Sequence, residues 1–431
     1  MAGLAAARAA RRAAPPDRLR VTLLEASGRL GGKVFTEVVD GIPWEWGPDA
    51  LVATKPRGRD LLDELGLLDD AVAPATGRAY LLRRGELRPL PPTAMGVPTG
   101  PGSLARAVRA GILSPRGALR ALAEPLTPRI RAGDREVEDA VRKRLGREVA
   151  DRLVLPLVGG VFGDVASLDM AMPELSRGRS LMLAARRRPP VRFLGLRGGM
   201  GRLVEALAGG TPGVEIRLGT RVRALEDLCG RFTLRTPRGP LEADAVLLAV
   251  PAPTAHNLLS SLGLTGVALY RTGYSRAGVV HLRYPQGALG RPLDAAGWVS
   301  VGSRAGRVSA CSWVSAKWPH LEEPGAHLRA VVPWPGLEPL GEAVADHVGR
   351  IMRASTPPEI VREHLWTHAL PVYAPRHRLS VARARAALPP GVALAGASYD
   401  GVGIPDCVAS GEAAARGLLG HLRVADPGRG G

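Results

Sequence analysis

Residues Val21–Lys33, V-T-L-L-E-A-S-G-R-L-G-G-K, decide the fold of this chain. The first four are β-branched or apolar and predict a short buried strand of a parallel sheet. The strand ends at a carboxylate, Glu25, and a loop with three glycines follows. An acid at the end of the second strand of a dinucleotide-binding fold accepts hydrogen bonds from ribose hydroxyls, and glycines let the backbone approach a ligand closely. The stretch therefore predicts part of a Rossmann-like α/β domain.

The residues before this strand match only the end of a dinucleotide-binding motif. Gly3 begins an alanine-rich helix predicted over 3–13, which Pro15 and Pro16 terminate. Gly3 lies about 22 residues before Glu25, close to the spacing of about 20 between the glycine turn and its acid. The first strand and the Gly-x-Gly turn are therefore expected upstream of Met1. We expect the natural protein to begin about 15 or more residues earlier.

Composition limits the classes of partner. The 431 residues suffice for two domains, or for one domain with a large insertion, and 45% of them are hydrophobic. The formal net charge of +18 comes almost wholly from arginine. A GC-rich coding sequence or a surface that attracts anions would each explain it. Aromatic residues make up only 4% and no nucleic-acid motif is found, so we expect no nucleic-acid partner.

The cysteines and the hydropathy pattern add further expectations. Cys229, Cys311 and Cys407 are far apart and form no Cys-x-x-Cys pair, which argues against a zinc site or a disulfide framework. No run reaches about 18 apolar residues, and the Ala/Arg-rich start lacks the apolar region of a signal peptide. We therefore expect no metal, no membrane-spanning segment and a cytoplasmic location.

The end of the chain repeats the order of strand, glycine loop and helix. A strand predicted over 392–395 precedes G-A-S-Y-D-G-V-G-I-P-D-C at 396–407, and a helix is predicted over 408–419. The N-terminus of such a helix stabilises negative charge, such as the charge that develops on a reduced flavin. Two such loops at opposite ends of one chain, with insertions between them, are typical of large flavoproteins.

Between these ends, the pattern predicts two excursions from the nucleotide domain. Hairpins are predicted at 34–46 and 80–92, helices at 103–111, 116–124, 134–145, 149–164, 202–208 and 338–354, and strands at 214–218, 221–225, 231–236 and 243–250. The basic amphipathic pieces at 103–111 and 116–124 would either pack on their own domain or lie on a membrane surface.

Seven segments resemble the protoporphyrinogen/coproporphyrinogen oxidases, a family within the flavin amine oxidase superfamily. They are L-E-A-S-G-R-L-G-G-K (24–33), W-E-W-G-P-D-A (44–50), L-P-L-V-G-G-V-F-G-D (155–164), L-R-G-G-M-G-R-L (196–203), A-V-P-A-P (249–253), S-A-K-W-P-H (315–320) and L-A-G-A-S-Y-D-G-V-G-I-P-D-C-V-A-S-G-E-A-A (394–414). The last is the most specific, because the wider superfamily usually carries a Gly-Glu motif where this chain has residues 396–399. The resemblance covers nearly the whole chain.

The resemblance implies an α/β fold. It consists of a Rossmann-like FAD-binding domain of the glutathione-reductase type with inserted α+β substrate-binding and helical membrane-type subdomains. The expected FAD-binding domain is discontinuous and contains residues 1–75, 196–260 and 385–425. Residues 76–98 and 265–384 are expected to form the substrate-binding domain, and 99–195 the helical insertion.

The resemblance also implies a set of cofactor-binding residues. FAD would be held by Gly3, Glu25, Ala26, Gly32, Lys33, Gly47, Pro48, Asp49, Ala50, Val222, Val402, Gly403 and Ile404. In this set Glu25 would bind the adenosine ribose, Val222 would meet the adenine side through its backbone, and 402–404 would lie against the isoalloxazine. Lys33 would equally serve as a surface charge and Val222 as a core residue, and both interpretations stay open.

The family reaction is the oxidation of a porphyrinogen to the porphyrin in haem biosynthesis. Six electrons pass to FAD in three two-electron steps, and O2 regenerates the flavin with release of H2O2. The basic character favours coproporphyrinogen III over protoporphyrinogen IX as the substrate. Arg78, beside the hairpin at 80–92, is the candidate that would bind a propionate, against the alternative of a solvated arginine. Because the flavin carries the chemistry, no catalytic side chain is assigned, and His320 and His377 are interpreted as structural.

Further partners and functions stay open. The resemblance allows a peripheral contact with the inner face of the membrane and contacts with other haem-pathway enzymes. If the missing turn belongs to the natural protein, a flavin-free remnant that binds porphyrin or a partner becomes an alternative. A third hypothesis is another amine-oxidase-type flavoenzyme, which amine turnover without porphyrinogen turnover would favour.

Overall fold

The computed structural model describes residues 1–127, 137–162, 170, 180–265, 269, 272–302, 308–322, 324–334 and 339–424. Its helices are α1 (Ala2–Ala13), α2 (Arg59–Glu64), α3 (Pro101–Arg109), α4 (Pro115–Leu122), α5 (Val137–Leu145), α6 (Arg147–Val149), α7 (Leu155–Phe162), α8 (Leu181–Arg187), α9 (Gly201–Gly209), α10 (Ala252–Ser260), α11 (Val314–Lys317), α12 (Leu340–Met352), α13 (His377–Ala386) and α14 (Ile404–Val424). A π-helical turn, Ala150–Val154, joins α6 to α7, and 3₁₀ turns lie at Glu124–Leu126 and Pro319–Leu321.

The strands are numbered in the same way along the chain. They are β1 (Val21–Leu24), β2 (Thr36–Val39), β3 (Ile42–Glu45), β4 (Leu51–Val52), β5 (Ala71–Val72), β6 (Tyr80–Arg83), β7 (Glu86–Pro89), β8 (Thr93–Ala94), β9 (Val97–Pro98), β10 (Phe193–Leu196), β11 (Val214–Arg217), β12 (Ala224–Leu228), β13 (Arg231–Thr236), β14 (Gly239–Ala243), β15 (Val246–Leu248), β16 (Ala277–Tyr284), β17 (Gly297–Ser300), β18 (Ala310–Trp313), β19 (Ala326–Pro333), β20 (Ile360–Trp366) and β21 (Val392–Leu394).

These elements form two compact units. The first contains Met1–Ala73, Val191–Gly273 and the chain from His377 onward, and the second contains Pro74–Pro190 and Tyr274–Arg376. The expected division of the chain into three domains stays a prediction.

Two parallel strand pairs lie in the first unit. β1 pairs with β11, and β15 pairs with β21, over four and three residues respectively. Within the described residues, no strand hydrogen-bonds one pair to the other. Helix α1 crosses α14 closely at Gly411, where an added Cβ would lie less than 3.0 Å from the Ala2 carbonyl oxygen. This crossing places the N-terminus of α1 beside the first turns of α14.

An antiparallel sheet of β12, β13 and β14 corrects part of the sequence prediction. The strand predicted over 221–225 is wrong by three residues, since β12 begins at Ala224. The reason is that Gly219 and Thr220 already donate their N–H groups to the carbonyls of Ser27 and Glu25, each at 2.8 Å. The segment before β12 is therefore a loop held against the end of β1.

The second unit is built around a seven-stranded sheet with the order β20-β16-β19-β18-β17-β6-β7. Strands β17 and β6 are parallel, and every other neighbouring pair in this sheet is antiparallel. Val280, Leu282 and Leu328 share a core with Val344 of α12. Burial in this core raises the pKa of Tyr284 to about 12.

Helical segments of the second unit share a core with its strands. Leu81 and Val97 pack in one cluster with residues of α3, α4, α5 and α8. The buried carboxylate of Glu124 forms an ion pair with Arg144 at 2.5 Å and accepts the N–H of Leu181 at 2.8 Å, which stabilises the N-terminus of α8. Within the ranges given above, no helix combines the length and apolarity needed to cross a membrane.

Candidate cofactor site

The N-terminus of α1 brings several predicted cofactor residues together. Burial lowers the pKa of the Met1 α-amino group, the Glu25 carboxylate raises it and the Lys33 ammonium lowers it further. Ala2 of α1 shares a buried apolar cluster with Cys407 of α14. A Cβ at Gly3 would lie 3.5 Å from Ala249, just after β15. Residues from the start and the end of the chain therefore meet around one helix end in the first unit.

Glu25 follows β1 and has one carboxylate oxygen held in place. Its Oε1 accepts hydrogen bonds from the Ser27 N–H at 2.8 Å and the Ser27 hydroxyl at 2.9 Å. Its main chain is fixed on both sides, by Arg217 O at 3.0 Å and by the Thr220 N–H at 2.8 Å. In the described part of the chain, Oε2 accepts no hydrogen bond. Such a half-engaged carboxylate fits recognition of a ribose hydroxyl, and Ala26 beside it is exposed.

Val222 lies two residues after Thr220, in the loop that bonds to Glu25. Its side chain packs against the core cluster that contains Leu225 and Phe232. The core interpretation of this side chain therefore holds. A contact of the Val222 backbone with adenine stays a prediction, and the position of the loop beside Glu25 is compatible with it.

Lys33 and Gly47 touch through their backbones. A Cβ at Gly47 would lie less than 3.0 Å from the Lys33 carbonyl oxygen, so only glycine fits here. Burial lowers the pKa of Lys33, which is half-buried rather than fully solvated. Gly32 has φ +62° in open space, so glycine is favoured by its backbone conformation alone. Pro48, Asp49 and Ala50 follow Gly47 and are half-buried.

The loop at 396–403 is shaped by side chains. Arg385 donates from Nη1 and Nη2 to the two carboxylate oxygens of Asp400 at 3.0 and 2.6 Å. The Ser410 hydroxyl donates to Asp400 and accepts the Gly396 N–H at 2.8 Å. Ser398 Oγ accepts the N–H of Ala252 at 3.0 Å and caps α10. The loop is thus tied to α13, α14 and α10.

Helix α14 begins at Ile404, four residues before the predicted start at 408, which corrects that boundary. Pro405 is tolerated because a first-turn residue needs no intrahelical N–H bond. Asp406 consequently lies in the first turn, where its Oδ2 accepts the Gly403 N–H at 3.2 Å. Burial raises the pKa of the Cys407 thiol to about 11, so this side chain is neutral at pH 7.

Sequence reasoning missed the ion pair between Lys55 and Asp406. Lys55 Nζ lies 2.5 Å from Asp406 Oδ2, although the two residues are 351 positions apart. No local pattern joins such distant residues. The only available signal was that Lys55 is one of four lysines among 58 basic residues.

Arg78, the predicted substrate-binding residue, lies in the second unit. Its Nη2 pairs with Asp294 Oδ2 at 3.2 Å, and the Tyr80 hydroxyl donates to both Asp294 oxygens at 3.0 Å. Burial, then Asp294, raises the pKa of Tyr80. The Arg78 side chain is 69% exposed, so it is a solvated cation with one carboxylate partner. His320 packs edge-on against Trp318, and His377 is buried at the start of α13.

The first unit fits a flavin nucleotide at two points. Glu25 has a carboxylate oxygen available to a ribose hydroxyl, and the N-terminus of α14 has first-turn N–H groups that an intrahelical bond does not satisfy. FAD would be held at these points by Glu25 and by residues 402–404.

Comparison with known proteins assigns the class. Residues 1–419 match the family model for flavin containing amine oxidoreductases, and the chain belongs to this family of oxidoreductases. The predicted family and flavin cofactor are therefore confirmed.

Close relatives within this family have names that agree with the seven segments. The chain is 33% identical over 438 residues to the coproporphyrinogen III oxidase of Mycobacterium tuberculosis (strain ATCC 25618 / H37Rv), covering 96% of the chain and 94% of the relative. It is 31% identical over 438 residues to the coproporphyrinogen III oxidase of Bacillus subtilis (strain 168), covering 94% and 92%.

Solved structures agree with the fold. A putative protoporphyrinogen oxidase from Exiguobacterium sp. 255-15 superposes with a TM-score of 0.85 at 32% identity, covering 98% of this chain and 97% of that chain. Cyclohexylamine oxidase from Brevibacterium oxydans superposes with a TM-score of 0.68 at 17% identity, covering 98% and 97%, and shows the fold alone. The α/β flavin amine oxidase fold predicted from the sequence is thereby confirmed.

Proposed function

We propose that this protein oxidises a porphyrinogen to the porphyrin in haem biosynthesis, with bound FAD and with O2 as the final acceptor. Coproporphyrinogen III is the preferred substrate, and protoporphyrinogen IX is the alternative. The observation that carries the proposal is the match of nearly the full chain, at 31% and 33% identity, to two coproporphyrinogen III oxidases.

The residues of this chain act by binding and orientation. Glu25 would hold the adenosine ribose, and Val402, Gly403 and Ile404 would hold the isoalloxazine. The positive end of the α14 dipole stabilises the negative charge that reduction places on the cofactor. FAD, when bound, accepts electrons from the substrate in two-electron steps and passes them to O2 with release of H2O2. Because the redox chemistry belongs to the cofactor, no protein acid or base is assigned to it.

The domain roles follow from the same proposal. The first unit is assigned as the FAD-binding domain of the glutathione-reductase type, which its parallel strand pairs support. The second unit is assigned to substrate binding, with its helical part as the membrane-type subdomain. Arg78 is assigned to a propionate of the substrate, for which its exposed guanidinium is suited once it exchanges Asp294 for the ligand.

A cytoplasmic location with a peripheral membrane contact completes the assignment. Leu119 on α4 is 70% exposed, and Leu126 nearby in the chain is 87% exposed. An arginine, Arg116, is exposed on the same helix, and apolar side chains beside cations suit an anionic lipid surface. Flotation with anionic vesicles tests this contact, and Leu119→Ser should reduce the floated fraction.

The first experiment is the visible spectrum of the purified chain with and without added FAD, followed by porphyrinogen turnover. We expect flavin bands near one FAD per chain, faster oxidation of coproporphyrinogen III than of protoporphyrinogen IX, and about three H2O2 per porphyrin. Bound flavin with no turnover of either porphyrinogen would overturn the proposal, and turnover of an amine instead would assign an amine oxidase.

Glu25→Gln is the variant that tests the site. Loss of the charge should weaken FAD binding about tenfold, the effect of roughly 1.4 kcal/mol for a charge-assisted hydrogen bond. Glu205→Gln is the matched control, because Glu205 is an exposed residue of α9 whose carboxylate pairs with Arg202. Equal FAD affinities in the two variants would contradict the role of Glu25.

A further inference from the structure

The ion pair of Lys55 and Asp406 lies at the segment proposed to contact the isoalloxazine. The Lys55 side chain is 41% exposed and that of Asp406 is 25% exposed, so the pair is partly screened from water. A Cβ at Gly403 would lie 2.6 Å from Asp406 Oδ2 and 3.6 Å from Lys55 Nζ. The main chain of Gly403 therefore has both charges within reach.

Asp406 has two opposite effects at the start of α14. By accepting the Gly403 N–H it stabilises the first turn of the helix. A carboxylate at that position also cancels the positive potential that a helix N-terminus offers to a second negative group. Lys55 returns a positive charge to the same place at 2.5 Å. The pair keeps the helix cap without leaving a net negative charge beside the cofactor segment.

We propose that Lys55 is a positioning residue that neutralises Asp406 and thereby keeps the N-terminus of α14 electropositive toward the reduced, negatively charged cofactor. The inference rests on the proposed flavin site and deepens it. Its consequence is that Lys55 raises the reduction potential of the bound flavin and Asp406 lowers it, because a negative charge close to the cofactor disfavours the gain of further negative charge. Removing both charges should therefore return the reduction potential of the flavin to near that of the unmodified protein.

The test is a double-mutant cycle on the FAD-loaded protein, with the midpoint potential of the bound flavin as the readout. Lys55→Met should shift the two-electron equilibrium at least tenfold toward the oxidised form, which corresponds to about 30 mV. Asp406→Asn should shift it in the opposite direction, and its amide oxygen still accepts the Gly403 N–H. The double variant should lie within about threefold of the unmodified protein.

Two further variants make the test decisive. Lys55→Arg preserves the charge and should leave the potential unchanged. Lys143→Met removes an exposed lysine of α5 in the second unit and serves as the matched control. Every variant is first checked for FAD stoichiometry and thermal unfolding.

The outcomes separate cleanly. The proposed role of Lys55 is overturned if Lys55→Met and Asp406→Asn bind flavin but leave its midpoint potential unchanged. It is also overturned if both single variants shift the potential in the same direction. If Lys55→Met binds no flavin, Asp406→Asn and Lys55→Arg decide the question, since one changes the charge and the other preserves it. A wild-type chain that binds no FAD contradicts the proposed function itself, which is a different result.

Discussion

Two contacts that shape the candidate site in the first unit are held by different forces. At the Gly47 crossing, formed by Lys33 and Gly47, one main chain passes directly against another, and no side chain fits between them. At the Asp400 clamp, formed by Arg385, Asp400 and Ser410, charged and polar side chains from three segments meet. A steric contact is insensitive to pH and salt, whereas an ion pair between a carboxylate and arginine weakens as salt is added and when acid protonates the carboxylate. The difference teaches that one contact near the candidate site depends on sterics alone, whereas the other depends on charge and therefore on solution conditions.

The largest expected effect is at the Gly47 crossing. Gly47→Ala places a Cβ less than 3.0 Å from the Lys33 carbonyl oxygen, and the main chain has to move. We expect a loss of about 3 kcal/mol or more in the free energy of unfolding, as for severe overpacking. Urea unfolding followed by circular dichroism measures it.

Gly28→Ala is the control for this substitution. An added Cβ at Gly28 meets no atom within 4 Å, and the residue has no positive φ. The control should change the free energy of unfolding by less than about 1 kcal/mol. Equal losses in both variants would show that the crossing is not a steric constraint.

The second effect is at the Asp400 clamp. Asp400→Ala removes the acceptor for two Arg385 bonds and one Ser410 bond, and we expect a loss of about 2 kcal/mol after allowance for partial exposure. The loss should shrink in high salt, in contrast to that of Gly47→Ala. Glu226→Ala is the matched control, because Glu226 also forms a two-bond pair with arginine, Arg235, on an exposed strand pair. A control loss as large as that of Asp400→Ala would show that the clamp is no stronger than a surface pair.

A third prediction concerns the arginines that surround Glu64 on α2 of the first unit. Arg57, then Arg8 and Arg12, donate to this carboxylate and lower its pKa to about 2. Since the pKa in the folded state lies below that of the unfolded state, the stabilisation is complete above pH about 4.5 and is lost as the pH falls toward 2. Urea unfolding is measured at pH values from 7 to 3. The free energy of unfolding of the unmodified protein should exceed that of Glu64→Gln at pH 7, and this difference should shrink as the pH falls below about 4.5. Parallel pH profiles would contradict the assignment, and Glu205→Gln supplies the exposed control.

The smallest effect is expected at Ser27. Ser27→Ala removes one of two donors to Glu25 Oε1, and the main-chain N–H remains. We expect FAD affinity to fall less than about threefold, because a single neutral donor contributes roughly 0.5 kcal/mol. Flavin fluorescence titration measures it. A loss as large as that of Glu25→Gln would show that the hydroxyl, rather than the main chain, orients the carboxylate.

Much of the cofactor side of the molecule was predictable because its signals are local. The strand at Val21–Leu24 and the carboxylate after it follow from an apolar run that ends in an acid, and the hairpin over 34–46 follows from its Asp-Gly turn. The predicted start of α14 at 408 is four residues late, because Pro405 favours a loop in the sequence pattern, although the first turn of a helix accepts proline.

The sequence by itself determined the family, the flavin cofactor and the α/β class, because these depend on residue types and spacings within short segments. Only the tertiary structure decided which distant groups meet. Lys55 pairs with Asp406, and Arg78 with Asp294, across hundreds of residues. The need for glycine at position 47 likewise depends on the path of Lys33. These contacts form between segments that only the folded backbone brings together, and no local pattern encodes them.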